Sequence, residues 1–265
     1  MVIGCVFCGI VWVITTIWEK PLMPLDTIKM FMGDPYVLNE HITIRQPTLR
    51  EIIDYGERDY LSMVSLLTAY PSDMKSVLWD MGVDYTKVTD FEVFVAFYRF
   101  LTPDKTSILF GDLNLSALTP DTNAVGEMCL VGPDGTVIDW NIHRMIFEFL
   151  ATSHMMQKQR EKPGNERTKQ VLIDWDREDR EAAARKPYRS PFVSLISAMV
   201  NSAGFKYDHQ TVQQLTIYQF YDAVQRIQLI NSAQSLLSGM YSNPFMDSTK
   251  IDKKYLNWLG EFPKT

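Results

Sequence analysis

Charge of either sign is missing from residues 1 to 18, MVIGCVFCGIVWVITTIW, and cysteine is scarce throughout the 265-residue chain. Three cysteines, Cys5, Cys8 and Cys129, are too few and too odd in number for a disulfide framework, and a reducing compartment suits such a chain. Cys5 and Cys8 form a C-x-x-C without the second ligand pair a zinc site needs. The pair sits inside an apolar run rather than at a strand–helix junction, so it reads as two buried or lipid-facing thiols instead of a redox motif. Basic residues are also short: 26 Lys and Arg against 32 Asp and Glu leave a net charge of -6. That balance excludes a general nucleic-acid binder, which must neutralise phosphates, and it excludes docking on anionic lipid.

Catalytic signatures are missing as well. There is no phosphate loop, dinucleotide fingerprint or nucleophile elbow. Four histidines are present. His143 and His154 fall on one helix face, but ~16 Å apart along the axis, too far for one metal. His41 and His209 have no acidic neighbours at ligand spacing. Asp121, Asn123 and Gly126 echo a calcium loop, yet its twelfth position is Gly132 rather than glutamate. Asp112, Asp134 and Asp139 gather around a turn-rich stretch, where aspartate serves local hydrogen bonding. No metal, no cofactor and no enzymatic activity are expected; a pocket lined by Asp112, Asp139 and His143 would be the place to look for one.

What is present is helix grammar. Hydrophobic residues make up 46% of the chain, enough for a real core. Residues Tyr36 to Gln46 alternate like a short strand, and Pro47 ends it. Thr48-Leu49-Arg50-Glu51 is a capping box, predicting a helix with Ile52, Ile53, Tyr60, Val64 and Leu67 on its apolar face. A short helix over Ser72 to Met81 should end at Gly82. A second capping box, Thr89 to Glu92, opens a helix to Leu101 whose phenylalanines (Phe91, Phe94, Phe97, Phe100) read as core. Ser107 to Phe110 suggests a strand. Gly132-Pro133-Asp134-Gly135 predicts a hairpin between Met128–Val131 and Thr136–Trp140. Helix returns from Ile142 to about Gln159.

Residues 166 to 186 are charged. Asp176/Arg180 and Glu181/Arg185 have the i,i+4 spacing of an exposed helix, so this stretch reads as a solvated helix or linker, with a partner-binding arm around Trp175 as the alternative. Ser190-Pro191 starts another helix. Thr216-Ile217-Tyr218-Gln219 is a third capping box, opening a helix to about Met240. Ile217, Phe220, Val224 and Ile227 are spaced like a coiled-coil seam on it, continued after a shift of three by Ile230, Ala233, Leu237 and Met240. Core packing is the first reading of this seam and self-association the second. Trp175, Phe220, Val224 and Ile227 are the candidate partner-binding residues.

The fold class is therefore mainly α (α+β), a helical protein with a small β-hairpin region. Residues 1–22 are an apolar extension, 23–162 a mixed α/β domain, 163–189 a charged linker or exposed helix, and 190–265 a helical carboxy-terminal domain.

Several phrases also resemble a known class. They are Ile44-Arg45-Gln46-Pro47-Thr48-Leu49-Arg50-Glu51-Ile52-Ile53-Asp54-Tyr55-Gly56-Glu57, Phe110-Gly111-Asp112-Leu113, Ser197-Ala198-Met199-Val200-Asn201-Ser202 and Ile217-Tyr218-Gln219-Phe220-Tyr221-Asp222. Together, over about residues 25 to 260, they resemble proteins of the tail-gene module of phages and prophages of Gram-positive gut bacteria, in the class of tail assembly chaperones. The resemblance carries over no site residue. It implies a protein that binds the tape-measure protein or tail-tube subunits, in the host cytoplasm during assembly or in the virion.

The run at residues 1–18 has three readings: a membrane anchor, a core strand or helix, or an artefact of start-codon choice with translation beginning at Met23 or Met30. Strand and helix grammar begins only after Pro24, which favours the third. The expected outcome of fractionation is that the full chain and a form starting at Met23 are both found in the soluble fraction and are equally folded. Membrane recovery of the longer form alone would identify an anchor.

Overall fold

A computed structural model describes residues 25–242, 252–260 and 262; the apolar run at residues 1–18, with Cys5 and Cys8, lies outside the described residues. The architecture is mainly α with small antiparallel sheets. Helix α1 (Thr27–Met32) is capped by the Asp26 carboxylate, which accepts from the Lys29 amide, and stops at Gly33. Strands β1 (Tyr36–Val37) and β2 (Thr43–Ile44) follow, pairing Tyr36 with Ile44. The single strand expected over Tyr36 to Gln46 is thus a hairpin. Asn39 causes the reversal: its side-chain oxygen accepts from the amides of His41 and Ile42, both at 2.9 Å, where a straight strand would offer a neighbour's carbonyl.

The first capping box forms as predicted. Thr48 accepts from the Glu51 amide and Glu51 from the Thr48 amide, opening α2 (Leu49–Tyr55). The predicted long helix then breaks at Gly56, whose φ of 110° only glycine adopts without strain, and resumes as α3 (Glu57–Leu67). A 3₁₀ turn (Pro71–Met74) leads into α4 (Lys75–Asp80). The second capping box opens α5 (Asp90–Phe97). Phe91 and Phe94 are buried and Phe97 half-buried, but Phe100 is 62% exposed, because the helix tightens into a 3₁₀ turn at Tyr98 and rotates it outward.

Residues 107–110 are not a strand. They end helix α6 (Pro103–Phe110), which starts with proline in its first turn and stops at Gly111, with Thr106, Leu109 and Phe110 buried at helical spacing. The predicted hairpin is present as β4 (Met128–Val131) and β5 (Val137–Ile138). An unforeseen edge strand, β3 (Thr119–Thr122), pairs with β4 and carries Pro120, which an edge tolerates. The stretch that echoed a calcium loop is the β3–β4 turn: the Asn123 side-chain oxygen accepts from the amides of Val125 and Glu127.

Helix α7 (Trp140–Ser153), capped by Asp139, runs through the core, and α8 (Glu166–Arg185) lies along α4. Helices α9 (Pro191–Val200) and α10 (Ile217–Ser242) complete the order, each capped as the sequence predicts. The start of α10 is bound to the start of α2. Leu49 donates to the Leu215 carbonyl at 3.0 Å and Ile217 to the Pro47 carbonyl at 3.1 Å, so Thr48 and Thr216 form an antiparallel bridge. One apolar cluster from Met30 to Val224 surrounds this junction. A second, smaller one contains Ala69, Leu78, Tyr85, Val93 and Ile173.

Two histidines lie inside the main core. His143 stacks on Phe94 at 4.7 Å. His154 faces the Tyr60 hydroxyl through Nε2 at 2.8 Å and the Leu150 carbonyl through Nδ1 at 2.8 Å. A carbonyl only accepts, so Nδ1 carries the proton and Nε2 accepts from Tyr60. Burial lowers both rings from 6.5 to about 4. The unfolded chain therefore binds protons near pH 6.5 that the native chain refuses until about pH 4, and stability must fall as pH drops through that window. Each ring is expected to cost about 3 kcal/mol over the full interval. Urea midpoints at pH 7.5, 6 and 5 check this, above the range where ordinary carboxylates titrate; a flat profile would show that the rings are protonated within the native state.

Candidate interaction surfaces

Three regions hold the side chains that the sequence singles out. The first is α10. Its apolar seam turns inward: Phe220 is 0% and Val224 6% exposed, and both belong to the main core with Ile217. Phe192 of α9 meets Phe220 at 6.5 Å and Tyr221 at 6.2 Å. Ile227 is half-buried and lies beside Gly204. Further along, Ala233 is fully buried, and a carboxy-terminal 3₁₀ turn (Lys253–Leu256) packs on the helix. Arg226 fastens this return, donating to the carbonyls of Trp258 at 2.7 Å and Gly260 at 2.9 Å, with its guanidinium 4.4 Å from the Phe262 ring. The outward face of the distal half, Gln228, Asn231, Gln234, Ser235 and Ser238, is polar but uncharged, and Tyr241 at its end is 88% exposed.

The second region is α8. Asn165 caps it, accepting from Thr168. Ile173 and Lys169 point onto the body of the protein, while Trp175 is 60% exposed, with Val171 exposed one turn earlier. The structure does not bring Trp175 to the α10 seam: α8 packs on α4, whereas α10 packs on α1, α7 and the carboxy-terminal turn. Of the four candidate partner-binding residues, Trp175 faces solvent, Ile227 is partly accessible, and Phe220 and Val224 serve the chain's own core.

The third region is a pair of clefts that meet at Asp90 and Arg160. One, of about 430 Å³, is bordered by Ser72, Tyr85, Lys169 and residues 160–163, 165 and 166. The other, of about 380 Å³, is bordered by Tyr70, Trp140, His143 and Phe147. Arg160 pairs with Asp90, and its guanidinium lies 5.0 Å from the Tyr70 ring centroid. Burial nevertheless raises the Asp90 carboxyl, with Arg160 pulling the other way. Sequence reasoning saw Asp90 only as part of a capping box. Seventy residues separate it from Arg160, so no local spacing could have announced the pair.

Asp112 and Asp139 do not join His143 at the cleft it borders; Asp139 is spent on capping α7. Among the described residues, no three His, Cys, Asp or Glu side chains are grouped so as to hold a metal ion. The Cys129 thiol is buried, and desolvation pushes its pKa up, away from the reactive thiolate. No helix among the described residues is long and apolar enough to cross a membrane.

These features describe a helical chain whose described surfaces offer exposed aromatic and uncharged polar side chains. Residues 186–262, which span α9, α10 and the carboxy-terminal turn, match the family model described as the YomV second domain, YomV being a protein encoded by a Bacillus prophage. The chain thus carries a phage-associated YomV-like domain over less than a third of its length. No curated protein and no solved structure matches it.

The burial of Val224 makes a direct test of the seam. Val224→Asp places a charge without a partner in the core and is expected to cost ~3 kcal/mol or more, with loss of the cooperative thermal transition seen by circular dichroism. Trp175→Ala, on an exposed face, should leave the melting temperature within error. An unchanged melting temperature for Val224→Asp would return this helix to the list of binding surfaces.

Proposed function

We propose that the chain is a non-enzymatic assembly factor of a phage tail: a tail assembly chaperone or minor structural protein that binds the tape-measure or tail-tube protein. The observation that carries this is the YomV-like match over residues 186–262. It falls on the segment containing Ser197–Ser202 and Ile217–Asp222, two of the phrases that resemble tail-module proteins. The surface of that segment is consistent with a protein partner. Sixteen residues of α10 beyond Arg226 carry no charged side chain, so a neighbouring helix can approach without desolvating an ion. The site of action under this reading is the host cytoplasm during assembly, or the virion.

Co-expression with the products of neighbouring genes tests the proposal. The chain is expected to co-purify with a long helical tape-measure protein or with tail-tube subunits, and to do so without nucleotide or metal. Failure to retain any tail protein, with the chain folded by circular dichroism, would overturn it.

A further inference from the structure

Every aspartate between residues 73 and 90 is held by a cation from residues 158–180. Lys158 lies 2.9 Å from Asp73, Arg177 2.6 Å from Asp80 and Lys169 3.0 Å from Asp84, and Arg160 pairs with Asp90. The backbone joins in: Arg180 donates to the Asp73 carbonyl, and Asp176 accepts from the amide and hydroxyl of Ser76. Between these charges one apolar side chain of α8, Ile173, is fully buried, against Ala69, Leu78, Tyr85 and Val93. This cluster is separate from the main core. Residues 158–180 carry seven cations and six anions, and Glu161 in turn pairs with Lys75, so they lie as a mixed-charge strap whose cations meet the aspartates across an apolar bed.

The strap does not fill its bed. The cleft of about 430 Å³ remains between them. Ser72 Oγ, Tyr85 OH and Asp90 Oδ1, on residues that border the cleft, are buried and find no hydrogen-bond partner among the described residues. Buried polar atoms left unpaired mark an imperfect fit, since each loses its bonds to water without replacement. The ion pairs that close the strap differ in exposure: Arg177 with Asp80 is open to solvent and screened by salt, Lys158 with Asp73 and Arg160 with Asp90 are partly covered, and Lys169 with Asp84 is largely buried.

We propose that this bed is a docking site for an amphipathic helix with a cationic inner face, and that α8 occupies it in the free chain as an internal stand-in. The occupant it fits is specified by α8 itself: an isoleucine-sized apolar residue with a lysine four positions earlier and arginines four and seven later, as in Lys169, Ile173, Arg177 and Arg180. A partner helix with that pattern meets Asp80 and Asp84 with its cations and Leu78 and Val93 with its apolar face. Its arrival requires α8 to lift as a unit, a local opening that leaves the main core closed. This goes beyond the phage-tail reading and is tested without any tail protein.

Hydrogen exchange on the full chain reads the opening. Amides of α8 are expected to exchange at least ~10-fold faster than those of α7, with the ratio growing between ~0.05 and ~0.5 M salt. The bed is read with a fluorescently labelled synthetic peptide of residues 165–186 at low salt. The full-length Ile173→Asp variant, whose α8 has lost its anchor, is expected to bind the peptide at least ~10-fold more tightly than the unaltered chain. Adding Asp80→Lys and Asp84→Lys should abolish that binding. The proposal is overturned if α7 and α8 exchange together, if Ile173→Asp unfolds the whole chain, or if the folded variant binds the peptide no better than the unaltered chain.

Discussion

The antiparallel bridge between Thr48 and Thr216 is the constraint on which the rest of the main core depends. Two helices begin there, each with a threonine cap, and the bonds from Leu49 to Leu215 and from Ile217 to Pro47 use backbone groups that helix starts would otherwise leave unpaired. Because both caps are held at one point, α2 and α10 leave it in fixed directions. Ile52 and Phe220 are thereby committed to the same interior, and residues 168 positions apart become neighbours. Helix α1 then settles on the junction, with the Gln219 side chain reaching the Phe31 carbonyl and Gly33 leaving room beside Thr216.

Away from this junction the binding forces change character. The main core is closed by apolar side chains and by a few fully paired polar groups, such as Tyr60 with His154. The face carrying α8 is closed chiefly by Asp–Lys and Asp–Arg contacts around one small apolar cluster. Salt does not screen the burial of apolar area, whereas it does screen partly exposed ion pairs. The molecule thus combines a body closed by apolar packing with a flank closed by ion pairs. The exposed Trp175 rides on that flank, so any partner touching it would also sense whether α8 is seated.

Helix starts were legible in the sequence because they are local events. Thr48, Thr89, Thr216 and Ser190 each bond within three residues, and that geometry does not wait for the fold. The Gly132–Gly135 turn was legible for the same reason. Misread elements show where local signals compete. Ser107 to Phe110 has the composition of a strand, yet Pro103 and the burial of Thr106, Leu109 and Phe110 on one side make it a helix. The run from Tyr36 to Gln46 alternates like one strand, and Asn39 folds it in two.

Where helices begin, and that the chain is mainly helical, could be read from residue order alone, because caps and turns are set by near neighbours. Which faces remain available depends on the packing of distant segments. The α10 seam and the α8 stripe look alike as patterns, but the Thr48–Thr216 bridge turns Phe220 and Val224 inward, while attachment through Lys169, Ile173 and Arg177 leaves Trp175 outside. The same holds for Asp90 with Arg160 and Asp84 with Lys169, partners separated by 70 and 85 residues. Capping depends on contacts within one turn of chain, whereas burial and ion pairing depend on which distant segments the completed fold brings together.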